Sequence, residues 1–197
     1  IDLSVGSVLA LAGVSAALLA KAGVAVPVAM LCGVLVGALC GFCNGVCVTR
    51  MGLPPFIATL GMMLVARGLA LQITGARPVS DLSNAFGVLG NGALFRISHI
   101  GADGFPDPAF PGIPYPVLIM VVLFLAGAVL LSKTSLGRHI YAVGSNAEAA
   151  RLSGVNVRGV TMFTYVLSGA LAGVTGCVLM SRLVTGQPNE GVMYELD

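Results

Sequence analysis

The chain has 197 residues, of which 57% are hydrophobic and only 9% are charged, and its formal net charge is +2. Water-soluble domains carry about 25% charged residues, so this composition, with a mean hydropathy of +0.98, excludes a soluble protein. The small positive charge gives no support to a nucleic-acid partner. The composition predicts an all-α, polytopic bundle of membrane helices whose solvent is the lipid bilayer.

Five apolar stretches are candidates for membrane-spanning helices, each of which needs about 20 mostly apolar residues. In chain order they cover residues 3–20, 24–47, 56–73, 117–132 and 160–180. We expect about five passes, one of them a candidate for a partial pass. The chain opens without an initiator methionine and stops without a closing element, so we expect residues 1–197 to be part of a single transmembrane domain that is truncated at both ends.

The residue that precedes the first stretch is an acid. Asp2, followed by Leu3 and Ser4, precedes the apolar run in the position that an N-cap residue takes before a helix. We expect its carboxylate to satisfy backbone N–H groups that lipid cannot satisfy.

A ladder of glycines marks the second predicted helix. Its members recur at every fourth residue and are Gly33, Gly37, Gly41 and Gly45. Between helices in lipid there is no hydrophobic force, so close backbone approach along such a face drives their association. Packing within the chain is the simpler interpretation, and an interface with another subunit is the alternative. Gly169 and Gly173 repeat the spacing in the fifth predicted helix.

The second predicted helix also carries three cysteines on one face, Cys40, Cys43 and Cys47. The spacing alone would permit a metal site, but no histidine or carboxylate lies nearby and a thiolate in lipid would be costly. We interpret these cysteines as packing residues, and we expect neither a metal nor a cofactor.

A single charge interrupts the third predicted helix. Arg67 lies about two thirds of the way along it, and a charge within a span is often functional. Its long side chain can reach the nearer interface, pair with an acid or line a polar pathway.

Two polar segments separate the later spans. Residues 75–115 are rich in Gly, Pro, Asn and Asp, and we expect a long loop with little regular structure. Residues 133–159 contain four Lys or Arg, against two in 75–115. The positive-inside rule therefore predicts that 133–159 is cytoplasmic and 75–115 periplasmic. Arg50 then lies inside and Lys21 outside.

Within the 133–159 segment the sequence predicts a short helix of about two turns. Asn146 is a suitable N-cap, residues 147–152 are mostly strong helix formers, and Gly154 suits the position after a helix end. The helix is either a surface connection between two passes or a docking element that receives force from a soluble partner. Catalysis is not expected, because the sequence contains no HExxH, GxSxG or P-loop motif.

Several strings are specific enough to compare with known families. They are Ile-Asp-Leu-Ser-Val-Gly-Ser at 1–7, Pro-Phe-Ile-Ala-Thr-Leu-Gly-Met-Met at 55–63, Arg67-Gly68, the 136–157 loop with Glu-Ala-Ala-Arg-Leu-Ser-Gly, and Tyr-Glu-Leu-Asp at 194–197. Together they resemble the permease subunit of bacterial ATP-binding cassette (ABC) importers of the ribose, xylose and galactose type. The resemblance covers essentially the whole chain, and the family's pattern continues on both sides of it.

The resemblance implies a permease that carries a ribose-like pentose or a hexose inward across the bacterial cytoplasmic membrane. It implies a separate ATPase subunit at the cytoplasmic loop, a periplasmic sugar-binding protein facing the outer loop and residues 183–197, and a second permease copy. Because related permeases are associated with autoinducer-2, import of that signal is an alternative that the resemblance leaves open. The implied coupling helix uses Asn146, Glu148, Ala149, Ala150, Arg151 and Gly154, with Glu148 and Arg151 able to pair across the interface.

A different class of transporter is the alternative: an ion-coupled secondary carrier or a passive channel for small polar solutes. An ion-coupled carrier should have acids within its spans, and only Asp2 comes near one. A channel would not need the short cytoplasmic helix.

Overall fold

The computed structural model describes residues 2–95, 97–100, 106–110 and 112–194. The helices in these residues are α1 (Val5–Lys21), α2 (Val26–Thr49), α3 (Pro55–Thr74), α4 (Asn84–Asn91), α5 (Tyr115–Lys133), α6 (Ser135–Ser145), α7 (Ala147–Leu152) and α8 (Val157–Leu183). Of these, α2, α3, α5 and α8 are long and apolar enough to cross a membrane, whereas α1 is apolar but shorter. The predicted all-α polytopic bundle is confirmed.

The ends of the long helices follow from proline and glycine chemistry. Pro27, Pro55 and Pro116 lie in the first turns of α2, α3 and α5, where a missing N–H costs nothing and the fixed φ suits a helix. Gly75 ends α3 with a φ of 60°, a left-handed conformation that glycine adopts without steric cost. The predicted spans therefore agree with the observed ones to within a few residues.

The core of the bundle is α1, which packs against α2, α3 and α8. Eleven of its 17 residues are buried, and its length of about 26 Å is short of the roughly 30 Å of hydrocarbon. α2 and α8 make the most extensive helix pair among the described residues. α3 lies against this core with Thr59, Ala66 and Ala70 buried, while no residue of α5 is buried.

We call the end of the bundle where α1 ends and α2 begins the Lys21 end, and the opposite end the Arg50 end. Lys21 donates to the carbonyl oxygen of Ser80 at 2.9 Å and lies 3.7 Å from the Asp81 carboxylate. These contacts tie the segment after α3 to the Lys21 end. α6 and α7 lie at the Arg50 end, between the end of α5 and the beginning of α8.

The expectation of little regular structure in residues 75–115 is wrong. The segment contains α4 and the strands β1 (Ala93–Leu94), β2 (Ile97–Ile100), β3 (Pro106–Phe110) and β4 (Ile113–Pro114), and β1 pairs antiparallel with β4, β2 with β3. Phe86 of α4 is fully buried, and the hydroxyl of Ser181 accepts from Gly90 N–H at 2.7 Å and donates to the Phe86 carbonyl at 2.6 Å. The glycines that suggested turns instead let α4 approach the end of α8 closely.

Candidate functional site

The helix α7 stands at the Arg50 end, exposed between two spans. The side chain of Asn146 accepts a hydrogen bond from Ala149 N–H at 3.0 Å, so the predicted N-cap is present, and Gly154 follows the helix with a φ of 83°. Ala150 is the residue of α7 that is buried, whereas Leu152 is 78% exposed. The helix thus rests on the bundle through Ala150 and presents its other side chains outward.

The two charged residues of α7 pair with each other. Nη2 of Arg151 lies 2.6 Å from Oε1 of Glu148, and both side chains are about two thirds exposed, at 67% and 65%. An exposed pair of this kind contributes at most about 1 kcal/mol. The ion pair therefore lies within the helix, and either group can exchange its partner for one on a docking surface at little cost.

Tight connections join α7 to the spans on both sides. The hydroxyl of Thr134 accepts from Gly137 N–H at 3.0 Å and donates to the Leu130 carbonyl at 2.6 Å, where the chain turns from α5 into α6. Gly137 has no room for a Cβ, because the Leu130 carbonyl lies against it. On the other side, Asn156 accepts from Gly159 N–H at 3.0 Å and caps α8. A displacement of α7 therefore acts on α5 and α8 through short, hydrogen-bonded corners.

Sequence reasoning overlooked two residues of this region. Leu152 and, on α6, Tyr141 expose 78% and 63% of their surfaces. Two large, exposed side chains on a polar connection are an available signal for a docking surface, because neither supports the bundle.

The glycine ladder of α2 faces other helices of the same chain. Gly33 lies against α1 at Ala12 and Ala16 and against Cys177 of α8. The other contacts are with α8: Gly37 with Gly169 and Gly173, Gly41 with Tyr165, and Gly45 with Met162. A Cβ at any of the four positions would overlap atoms of a neighbouring helix, so the glycines permit the close approach of α2 to α1 and α8.

Asp2 organises the beginning of α1. Its Oδ1 accepts from the Ser4 N–H at 2.9 Å and from the Ser4 hydroxyl at 2.6 Å. The Ser4 oxygen in turn accepts from Nδ2 of Asn44 on α2 at 3.0 Å. Ser4 and Asn44 are each 1% exposed, so a buried polar chain fixes the carboxylate relative to two helices.

Arg67 binds the backbone of residues 184–194, which we call the return segment. Its Nη1 donates to the carbonyl oxygens of Pro188 at 2.8 Å and Glu190 at 2.7 Å. Backbone carbonyls were not among the partners that the sequence suggested for this arginine.

The return segment runs back into the bundle from the end of α8. Val184 has a φ of 52°, which is strained for a β-branched residue, and Gly186 exchanges two hydrogen bonds with Val79 at 2.8 and 2.9 Å. Gly186 lies against Ala17 of α1, and Gly191 lies against Gly6, about 16 Å further along that helix. Non-helical backbone at this depth must find its hydrogen bonds within the protein, and Arg67 supplies two of them.

The cysteines of α2 occupy ordinary packing positions. Cys40 is buried, Cys43 and Cys47 are half-buried, and all three are free thiols. Across the described part of the chain, no group of three or more His, Cys, Asp or Glu residues could hold a metal ion.

Comparison with known proteins identifies the family. A family model described as "Branched-chain amino acid transport system / permease component" matches residues 1–197. The chain belongs to this family. Its members are transport permease components and not enzymes, and no solved structure matches the chain.

Relatives in this family include sugar permeases. The chain is 42% identical over 197 residues to the ribose import permease protein RbsC of Escherichia coli (strain K12) and 40% identical over 197 residues to that of Bacillus subtilis (strain 168). It is 36% identical over 198 residues to the galactofuranose transporter permease protein YtfT of Escherichia coli (strain K12). All of this chain aligns in each case, with 58%, 57% and 53% of the relatives' lengths.

The chain thus spans somewhat more than half the length of these relatives. The resemblance to sugar permeases that the sequence suggested is confirmed. Its apolar helices and these relatives identify the chain as a multi-pass protein of the bacterial cytoplasmic membrane.

Proposed function

We propose that the chain is part of the permease subunit of an ABC importer that carries a monosaccharide, a ribose-like pentose or a hexose, into the cell. Relatives named for ribose and galactofuranose transport align with the whole chain. The observation that carries the proposal is α7, a short, capped and exposed helix between two spans. Its role is that of a coupling helix that docks on a separate ATPase subunit.

The charges support a cytoplasmic position for α7. Residues 133–159 contain four Lys or Arg, against two in 75–115, so the Arg50 end is the cytoplasmic end. The 75–115 segment, with α4 packed on the end of α8, then faces a periplasmic sugar-binding protein. A second permease copy completes the translocation path.

The docking surface of α7 combines one apolar anchor with small side chains. Leu152 is exposed, and interfaces draw most of their energy from a few such side chains that fill a pocket on the partner. Ala149 is exposed as well and lets a partner approach the helix closely. Full burial of a leucine contributes about 1.5–3 kcal/mol, which corresponds to roughly a tenfold to hundredfold effect on docking.

The experiment is Leu152→Ala in the full transporter, with ATP hydrolysis measured as stimulated by the loaded binding protein. Because Leu152 is 78% exposed, the folded permease should lose less than about 0.5 kcal/mol of stability, while stimulation should fall about tenfold or more. Leu31→Ala is the matched control, since Leu31 is 59% exposed on α2 near the Lys21 end, far from α7. Equal stimulation in the two variants would remove the docking role.

A charge exchange tests the ion pair. The double variant Glu148→Arg with Arg151→Glu retains a pair within α7 but presents the opposite charges to a partner. If the loaded binding protein stimulates ATP hydrolysis in this variant as strongly as in the wild type, the pair only supports the helix. Loss of this stimulation supports docking.

The alternative transporters lack support in the spans. α1, α2, α3, α5 and α8 contain no Asp or Glu, and an ion-coupled carrier would be expected to have one. Solute uptake that persists when ATP hydrolysis is blocked would overturn the importer and favour a carrier or a channel.

A further inference from the structure

A cavity of about 310 Å³ lies beside the first turns of α8, and every described residue that lines it is polar. The lining residues are Asp2, Thr161, Thr164, Tyr165 and Ser168. The volume is within the range of about 300–1,000 Å³ that small-molecule sites occupy. Five polar side chains around one cavity stand out in a chain that is 57% hydrophobic, because a few convergent polar groups are what orients a polar small molecule in its site.

The carboxylate at one side of the cavity is held in place and has a free oxygen. Both hydrogen bonds from Ser4 end on Oδ1 of Asp2, and the buried Asn44 holds Ser4. Within the described residues, Oδ2 accepts no hydrogen bond. The N-cap position of α1 is Ser4 and not Asp2, and the two hydrogen bonds that Asp2 accepts from Ser4 use one carboxylate oxygen and leave the other as an acceptor for a ligand.

The hydroxyl groups of α8 provide the remaining hydrogen-bonding positions. Thr161, Thr164 and Ser168 are three and four residues apart, which places them on one face of the helix. Thr164 donates to the carbonyls of Val160 at 3.0 Å and Thr161 at 2.8 Å, so its oxygen remains an acceptor. In the part of the chain that the structure describes, the hydroxyls of Thr161 and Ser168 have no partner and can donate as well as accept.

A second cavity of about 510 Å³ adjoins the first on its Lys21 side, and the two together form a groove along α8. It shares Thr164 and Ser168 with the first and extends along α8 to Thr175, with Tyr194 of the return segment beside it. From Thr161 to Thr175 the groove follows about 21 Å of helix. Its lining is mostly apolar, so the polar cavity is a distinct site along a continuous groove.

We propose that this groove is one wall of the solute path, and that the polar cavity is a weak site for a neutral, polyhydroxylated solute held by Asp2, Thr161, Thr164 and Ser168. The inference rests on the proposed function and adds the residues of the path and the class of solute. Sugar hydroxyls both donate and accept, which matches a free carboxylate oxygen surrounded by hydroxyls. The ring of Tyr165 adds a flat apolar face.

The same lining disfavours an amino acid, the solute class in the family's description. The described lining residues include no Lys or Arg that would neutralise an α-carboxylate. They also include no aliphatic hydrocarbon side chain such as Leu, Ile or Val for a branched side chain to contact. The negative charge of Asp2 also repels an anion.

The test compares Thr164→Val with Thr49→Val in the full transporter, reconstituted in vesicles with its ATPase subunits and loaded binding protein. Both threonines are half-buried and donate to the carbonyl four residues earlier, Thr49 to Gly45 at 2.7 Å, but only Thr164 lines the cavity. Labelled ribose uptake and ATP hydrolysis are measured together. Thr164→Val and Ser168→Ala should lower the ribose moved per ATP by about two- to tenfold, the effect of one neutral hydrogen bond.

Asp2→Asn should have a larger effect, about tenfold or more, because hydrogen bonds to charged groups are stronger. The asparagine oxygen can still accept from Ser4, so the two hydrogen bonds that hold Ser4 at the beginning of α1 are retained. Thr49→Val should leave the ratio unchanged.

Two results overturn the inference. In the first, Thr164→Val and Ser168→Ala give the same ratio as Thr49→Val. In the second, they lower uptake and ATP hydrolysis in proportion, as expected for a position that only packs against another part of the protein. Failure of the proposed function is a different observation, because the unaltered transporter would then show no ATP-dependent uptake of any pentose or hexose.

Discussion

Replacing Arg67 by methionine tests whether the return segment depends on this side chain. The substitution removes the donors to the Pro188 and Glu190 carbonyls at 2.8 and 2.7 Å while keeping an unbranched apolar side chain. Hydrogen bonds from a charged donor contribute about 1.5–3 kcal/mol each, which gives about 3–6 kcal/mol for the two. Arg67 is half-buried, so water can replace part of this hydrogen-bond energy in the variant. We therefore expect the free energy of unfolding to fall by about 3–4 kcal/mol.

The assay is thermal unfolding of the purified permease, combined with limited proteolysis that cuts within residues 184–194. For domains of 150–250 residues, about 3 kcal/mol lowers Tm by roughly 6–12 °C, and the return segment should become cleavable. Arg67→Lys should give an intermediate result, because an ammonium group keeps the charge but not the planar set of donors. Arg77→Met is the control for an exposed arginine. If Arg67→Met unfolds at the wild-type temperature and resists cleavage, the two hydrogen bonds do not hold the segment.

Two further substitutions test the packing of the bundle. Gly37→Val should prevent α2 from closing on α8 because the new Cβ overlaps the Gly169 carbonyl; the yield of folded protein by size exclusion should collapse, whereas Gly61→Val, with open space around it, should not change it. Ser181→Ala removes the hydrogen bonds to the Gly90 N–H and the Phe86 carbonyl and should loosen α4 by about 1–3 kcal/mol. Hydrogen exchange of residues 84–91 measures this, and unchanged protection would contradict it.

The elements that sequence analysis predicted well are those whose signal is local. Runs of apolar residues bound the spans, prolines mark their first turns, and the four-residue glycine spacing marks a face of α2. The cap of α7 could be predicted equally well, because Asn146 and Gly154 act on backbone groups within a few residues of themselves. In each case the deciding atoms lie close together in the chain.

The features that were missed depend on distant partners. Arg67 bonds to carbonyls 121 and 123 residues away, and no local pattern shows that residues 184–194 turn back into the bundle. α4 forms because it packs against the end of α8 and hydrogen-bonds to Ser181. These contacts override the turn preference of its glycines. The hydroxyl face of α8 is different, since Thr161, Thr164 and Ser168 have helical spacing in the sequence and could have been recognised there.

The glycine contacts constrain how a force at α7 can act on the proposed path. α2 is held to α8 along the whole ladder, from Gly45 at Met162 to Gly33 at Cys177, and α1 is enclosed by both. α8 therefore cannot slide past α2 without overlap between backbones, and close-packed interfaces do not deform continuously. A displacement of α7 moves α1, α2 and α8 as one body and carries the polar cavity with it. The exposure of the cavity then changes through movement of this body against the surfaces that face it, and not through rearrangement of the helices that line it, which is the rigid-body form of alternating access.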